Sequence, residues 1–408
     1  SPEATRYCLP PVFMTAYMYD LLNGSFPERI PRNCEFYHGR NPLSRPPLAR
    51  LAGQSTPPII APERRSRPSR LLGQAFCRIS DLSAPENSTA SVLALVAPDM
   101  AEVDRVIADR LDSGVPLVGE VARYIISAGG KRLRPVLLLL TCGALGYTGT
   151  QRHNLAAVVE FIHTATLLHD DVVDESTLRR GRPTANESFG NPASVLVGDF
   201  LYSRAFQMMV DANSMRVMQV LADATNVIAE GEVLQLMNMH DASLDEDGYL
   251  RVIRSKTAKL FEASARLGAI LARQDADTEE ACATYGQALG TAFQVIDDVL
   301  DYDGDTAEMG KNLGDDLREG KATLPLILAM QRGTPAQAAT VRAAIETGSV
   351  DQLQAIVNIV RETGSLQATR TAAAAEAQRA IDAAMRLPTN AHRDAMVRLA
   401  SQLLVRRA

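Results

Sequence analysis

Two aspartate-rich stretches carry the chemistry that this sequence offers. The first runs Leu167-Leu168-His169-Asp170-Asp171-Val172-Val173-Asp174, with Arg179 and Arg180 shortly after it. On a helix, Asp170 and Asp174 share one face at a separation of roughly 6 Å along the axis, which suits hard oxygen donors holding divalent cations. His163, seven residues before Asp170, falls on the same face, whereas His169 points elsewhere and reads as structural. A solvated acidic face is a poor account of the stretch, because Leu167, Leu168, Val172 and Val173 surround the acids. The second stretch, Phe293-Gln294-Val295-Ile296-Asp297-Asp298-Val299-Leu300-Asp301, repeats the DDxxD spacing more than 120 residues later. There Asp297 and Asp301 form the same i, i+4 pair, and Gln294, Asp298 and Asp301 lie four and three residues apart. A calcium loop beginning at Asp301 fails, since its glycine stands fourth rather than sixth and no glutamate follows at the twelfth place.

Cations accompany the acids. Gly129-Gly130-Lys131-Arg132-Leu133-Arg134-Pro135 sets three cations in four residues between a glycine pair and an apolar helix, which makes an anion site or, equally, a solvated basic turn. It lacks the spacing of a Walker loop. The chain has 37 arginines and five lysines (Lys131, Lys256, Lys259, Lys311 and Lys321), a bias that a GC-rich genome explains and that leaves the lysines marking places for a compact ammonium. Lys256-Thr257 is one such place. Gly310-Lys311 through Gly320-Lys321 is another, a glycine-punctuated charged loop with the character of a lid.

The elements that must position these groups read as helices. From about residue 92, apolar residues recur at three and four, as in Val103, Val106, Ile107 and Leu111, with Pro98-Asp99 as a start signal. Further helices are expected at 116–127, 133–146, 151–176, 192–211, 214–240, 246–273 and 278–303. A last group covers 323–332, 336–347, 350–362, 366–386 and 390–406. Strand-like alternation is absent, so the fold class is all-α: a single large domain over residues 92–408. Residues 1–91 differ, holding 12 of the 21 prolines before residue 71 and no lysine, and read as a disordered or poorly ordered Pro/Arg-rich extension. Eight acidic residues before residue 100 argue against a transit peptide.

Composition narrows the classes further. A net charge of −6 implies no nucleic-acid partner. Five scattered cysteines without CxxC spacing point to a reducing compartment and no structural zinc. No apolar run is long enough for a membrane span, and no signal peptide is present at residues 1–25, so a cytoplasmic location is expected.

Together the motifs resemble the trans-prenyltransferases, the all-helical polyprenyl diphosphate synthases, and look closest to the long-chain bacterial enzymes that make octaprenyl, solanesyl or decaprenyl side chains of quinones. The resemblance covers residues 95–408. It implies a bundle of long antiparallel helices around a deep central cavity, usually homodimeric. It also implies a reaction in which an allylic diphosphate such as farnesyl diphosphate ionises and isopentenyl diphosphate attacks the cation. A proton is then lost and the cycle repeats. By that resemblance about three Mg²⁺ ions per active site neutralise the leaving diphosphate, held by Asp170 and Asp174 from one wall and Asp297, with Asp301 assisting, from the other. Arg179, Lys256, Thr257, Gln294 and Lys311 match positions that hold the allylic diphosphate. Lys131, Arg134, His163 and Arg180 match those that hold isopentenyl diphosphate. Small residues before the first motif, Ala165 and Thr166, imply an open tunnel and a long product; Phe206, Met208 and Met209 are candidates for its floor. Two rivals are a class I terpene cyclase, not expected to keep the second DDxxD with the GGKRLRP cations, and a non-catalytic subunit of a heteromeric synthase, which would lose acidic residues that are all present here.

Overall fold

The computed structural model describes residues 89–303 and 314–403, and these fold as helices joined by short turns. In order they are α1 (Thr89–Arg110), α2 (Pro116–Ser127), α3 (Leu133–Ala144), α4 (Gln151–Val173), α5 (Ala185–Phe189), α6 (Asn191–Asp211), α7 (Met215–Met237) and α8 (Glu246–Ile253). A π-helical turn, Arg254–Ala258, leads into α9 (Lys259–Leu271) and α10 (Ala276–Asp303). Residues 304–313, most of the expected lid, lie outside the described residues; after them come α11 (Asp315–Arg318), α12 (Leu324–Arg332), α13 (Pro335–Thr347), α14 (Leu353–Glu362), α15 (Ser365–Ala384) and α16 (Ala391–Leu403).

Side-chain contacts set the directions of the main helices. Asn154, near the start of α4, donates to the Met208 carbonyl near the end of α6, while Ser194 at the start of α6 donates to the Leu168 carbonyl late in α4. These two helices are therefore antiparallel. By the same logic α9 and α10 are antiparallel, because Arg266 meets Glu279 at one end and Thr257 meets Gln294 at the other. So are α10 and α15, through Arg386 to the Asp277 carbonyl and Arg370 to Asp303. The apolar residues bury in two clusters. One centres on α3, α4, α6 and α9 and takes in Leu289 and Ala292 of α10. The other begins at Val295 and Ile296 of α10 and continues through α8, α12, α13 and α14. The second acidic motif lies along that second cluster.

Several expected boundaries moved. Pro98 does not start a helix; α1 runs through it from Thr89, carried by one buried face of Val92, Val96, Val103 and Ile107. Burial of that face outweighs the backbone hydrogen bond that proline cannot make. Asp99 instead accepts from Arg152 and lies 2.8 Å from His153 at the start of α4. The helix α4 ends at Val173, leaving Asp174 as its C-cap, yet the Asp174 N–H still donates to the Asp170 carbonyl at 2.8 Å and keeps the i, i+4 relation. The chain then makes a two-residue antiparallel ribbon, Leu178–Arg179 against Arg182–Pro183, which alternation over so few residues could not reveal. The long helix expected over 246–273 is continuous from Glu246 to Leu271 but takes in the π-helical turn. Residues 1–88 and 404–408 lie outside the described residues. No helix among the described residues is long and apolar enough to cross a membrane.

Candidate active site

The first motif ends one helix and faces two lysines brought from elsewhere. Lys256 Nζ, from the π-helical turn, lies 3.7 Å from Asp170 Oδ2 and 2.5 Å from Glu232 Oε2 on α7. Lys321, just beyond α11, lies 3.7 Å from Asp174 Oδ2 and also pairs with Glu319. The turn that carries Lys256 packs against α7 at Gly231, where a Cβ would meet the Lys256 backbone nitrogen at 2.8 Å, so only glycine allows that approach. A π-helical turn inserts one extra residue into the hydrogen-bond ladder and often marks a functional site. Burial raises the Asp170 pKa, Lys256 opposes this, and Asp174 adds to it. Glu232 is pushed up to about 7 by burial and then by the nearby Asp170 charge. Carboxylates that raise one another in this way make an environment a cation would relieve.

Between these lysines and the second motif lies a cavity of about 670 Å³ including its mouth, lined by Tyr249, Lys256, Thr257, Gln294, Asp298 and Lys321 among others. Thr257 donates to Gln294 Oε1 at 3.0 Å, and Gln294 Nε2 donates to Asp298 Oδ1 at 2.8 Å. Asp297 is half-buried. Asp301 is wholly buried, and its Oδ2 accepts from the Asp316 backbone N–H at 3.3 Å, so this carboxylate ties down the start of α11.

A second cationic group lies nearby. Arg134 is half-buried with its guanidinium 4.6 Å over the Phe261 ring, and its Nη1 donates to His163 Nε2 at 3.1 Å. Burial lowers the Arg134 pKa to about 10, against the pull of Glu160. Burial, then the charges of Arg134, Arg179 and Arg180, keep the His163 pKa well below its usual value, so the imidazole is neutral. The glycine pair and Arg132, at φ 43°, form the left-handed loop before α3. At Gly130, φ is +143° and a Cβ would lie 2.7 Å from Arg180 Nη1, so the loop that carries Lys131 closes against Arg180. Arg179 stands between the two groups: it holds the buried Asp171 at 2.6 and 2.9 Å, and its charge acts on both Asp170 and His163.

Most of the sequence-predicted residues therefore gather in two groups: Lys256, Thr257 and Gln294 line the cavity, with Asp170 paired to Lys256 and Asp174 to Lys321, while Arg134 and His163 meet and Lys131 sits on the loop that closes against Arg180. Lys311 lies outside the described residues. Among the described residues no three His, Cys, Asp or Glu side chains stand close enough together to hold a metal. His169 lies 3.2 Å from the Val195 carbonyl between α4 and α6, in the structural role expected of it. Sequence reasoning missed Glu232, Tyr249 and the pairing of Lys321 with Asp174; it placed Asp298 beside Gln294 by helix spacing but gave it no role. Only the rarity of lysine singled out Lys321.

The Polyprenyl synthetase family model matches residues 115–360. This chain belongs to the polyprenyl synthetase family. It is 53% identical over 307 residues to octaprenyl diphosphate synthase of Escherichia coli (strain K12), covering 75% of this chain and 95% of that protein. It is 46% identical over 309 residues to the all-trans-nonaprenyl-diphosphate synthase (geranyl-diphosphate specific) of Rhodobacter capsulatus, covering 76% of this chain and 95% of the relative. Its fold matches the crystal structure of a polyprenyl synthase from Caulobacter crescentus CB15 complexed with calcium and isoprenyl diphosphate. That match has a TM-score of 0.76 and 46% identity, and covers 80% of this chain and all of the other. The helical architecture is thus the isoprenoid synthase fold of this family.

Proposed function

We infer that this chain is a long-chain trans-polyprenyl diphosphate synthase that condenses an allylic diphosphate with successive isopentenyl diphosphate units, supplying quinone side chains. The observation that carries this reading is that Asp170 and Asp174 each stand 3.7 Å from a half-buried lysine, Lys256 and Lys321, and that both lysines line the cavity beside the second acidic motif. Such a wall of alternating carboxylates and ammoniums suits a diphosphate bound through metal ions. The donors fit Mg²⁺: Asp170, Asp174 and Asp297 supply hard carboxylate oxygens, with Asp301 behind them. When bound, the metal ions neutralise the charge that develops on the leaving diphosphate.

The chain's own residues do the rest. Lys256, Lys321, Arg179, Thr257 and Gln294 grip the allylic diphosphate, with Lys311 completing the set. Lys131, Arg134, Arg180 and the neutral His163 hold isopentenyl diphosphate beside it, and neutrality leaves His163 able to accept from Arg134 while its other ring nitrogen donates. The hydrocarbon runs down past Ala165, which is fully buried, and Thr166, whose hydroxyl is turned back onto the His163 carbonyl. Met208 and Met209 are fully buried in the main core, as ordinary packing residues are.

The working form is a cytoplasmic homodimer whose catalytic domain spans residues 92–408. Its interface is the outer side of α6 and α7, which leaves Leu196, Val210, Met215, Val233 and Met237 exposed. The retention of every acidic-motif residue favours a catalytic chain over a regulatory subunit. The test is to give the purified chain farnesyl diphosphate and labelled isopentenyl diphosphate with Mg²⁺. A long polyprenyl product is expected; no incorporation by the chain alone would point to a subunit, and a cyclised hydrocarbon to a terpene cyclase.

A further inference from the structure

Four side chains from three elements form one hydrogen-bonded line beneath the cavity. The Tyr249 hydroxyl, from α8, donates to Asp298 Oδ2 at 2.6 Å. Asp298 Oδ1 accepts from Gln294 Nε2 at 2.8 Å, one turn earlier on α10, and Gln294 Oε1 accepts from Thr257 in the π-helical turn at 3.0 Å. Tyr249 is 4% exposed and Asp298 is 3% exposed, and all four side chains line the cavity.

The polarity of this line is fixed from one end. Asp298 accepts at both of its oxygens, from the Tyr249 hydroxyl and from the Gln294 amide nitrogen. The Gln294 nitrogen is therefore held toward Asp298 and its oxygen toward Thr257, which must donate in turn. An unrestrained glutamine amide can reverse ends, and a reversed one would offer its oxygen where a phosphate needs an N–H. Phenylalanine at 249 would keep an aromatic ring in the second apolar cluster. The hydroxyl adds one thing: the second donor to a buried carboxylate, without which Asp298 is left short of a partner and pulls on its remaining donor.

We propose that Tyr249 is a positioning residue for the allylic substrate: through Asp298 it fixes the Gln294 amide so that the remaining amide N–H is presented to the allylic diphosphate. This rests on the reading of the cavity as the allylic diphosphate site. Tyr249 touches neither substrate, and the isopentenyl diphosphate residues, Arg134, His163 and Arg180, are not part of the line. Its effect is confined to one of the two substrates.

The test is a double-mutant cycle on the full chain with steady-state kinetics for both substrates. Tyr249→Phe is expected to raise the allylic KM about tenfold, the loss of one hydrogen bond to a charged group, while the isopentenyl diphosphate KM stays within about twofold. Gln294→Ala raises the allylic KM as well, and adding Tyr249→Phe to it has little further effect, because the tyrosine acts through the amide. Asp298→Asn keeps an acceptor for Tyr249 but turns an N–H toward Gln294. The amide then reverses, and the same allylic-selective loss is expected; this variant decides the matter if Tyr249→Phe does not fold by thermal unfolding. Equal rises in both KM values, or a Tyr249→Phe effect undiminished in the Gln294→Ala background, would overturn the proposal while leaving the site assignment intact. An unchanged allylic KM in Gln294→Ala would overturn the assignment of Gln294 itself, and the proposal with it.

Discussion

The two aspartate motifs share one spacing and are built into the fold in different ways. The first closes a helix: α4 stops at Val173, and Asp170 and Asp174 face Lys256 and Lys321 across a gap of 3.7 Å each. The second continues a helix, since α10 runs to Asp303, and its last aspartate is wholly buried beneath α11. In both, the second aspartate of the motif is buried and given a partner. Asp171 is held by Arg179, and Asp298 by Tyr249 and Gln294. The same five-residue pattern is therefore used in two ways: its second position is an anchor in both motifs, whereas its last is half-buried beside Lys321 where the helix ends and wholly buried where the helix continues.

Substitutions can break this comparison at graded strength. The largest effect is expected at the first motif: Asp170→Asn should lower kcat by roughly 10²- to 10³-fold with little change in thermal stability, because in the proposed function that carboxylate acts, through metal, on the leaving group. Asp301→Asn should show the reverse balance, with a smaller fall in kcat and a clear drop in unfolding midpoint, since its carboxylate supports α11. Parallel rate assays and melts of the two variants would undo the contrast if their profiles coincided.

Next comes Arg179→Lys. Arg179 holds Asp171 through two nitrogens, a grip that a single ammonium cannot reproduce. The allylic KM is expected to rise about tenfold, and wild-type kinetics would show that the pairing is incidental. Ala165→Phe, one turn before the first motif, should shorten the product while leaving the diphosphate chemistry in place. An unchanged product distribution on reversed-phase chromatography would remove Ala165 from the tunnel wall.

The smallest effect lies away from both motifs. Burial works to raise the Asp99 pKa, but hydrogen bonds with His153 and from Arg152 outweigh it and hold the carboxyl below its usual range. A carboxyl depressed in the folded state stabilises the fold above its unfolded pKa, and that contribution is lost as pH falls through the folded pKa. Asp99→Asn should lower the neutral-pH melting point by about 2–4 °C, with the gap to wild type closing in acid. A gap that persists at low pH would show that packing, not charge, is responsible.

Much of this arrangement was legible in the sequence because helix periodicity relates residues on one face. The i, i+4 pairs, the place of His163 and the basic loop at 129–135 all follow from spacing along single elements. What spacing cannot supply is which elements meet. Lys321 opposite Asp174, Glu232 under Lys256 and Tyr249 on Asp298 each join residues far apart in the chain, and no local pattern encodes them. The π-helical turn at Arg254–Ala258 escaped for a different reason: its one extra residue leaves only a small mark, a five-residue step between the apolar Ile253 and Ala258 where helix periodicity gives three or four, and Gly231 on another helix is what makes room for it. Pro98 misled in the opposite direction, a local stop signal overridden by a buried face.

The central claim is that both motifs act on one metal-bound allylic diphosphate from opposite walls. Calorimetric titration of the full chain with an unreactive farnesyl thiodiphosphate, with and without Mg²⁺, tests it most directly. Tight binding only with Mg²⁺, weakened by Asp170→Asn and by Asp297→Asn alike, is the predicted result. Metal-independent binding, or weakening by only one of the two substitutions, would contradict it.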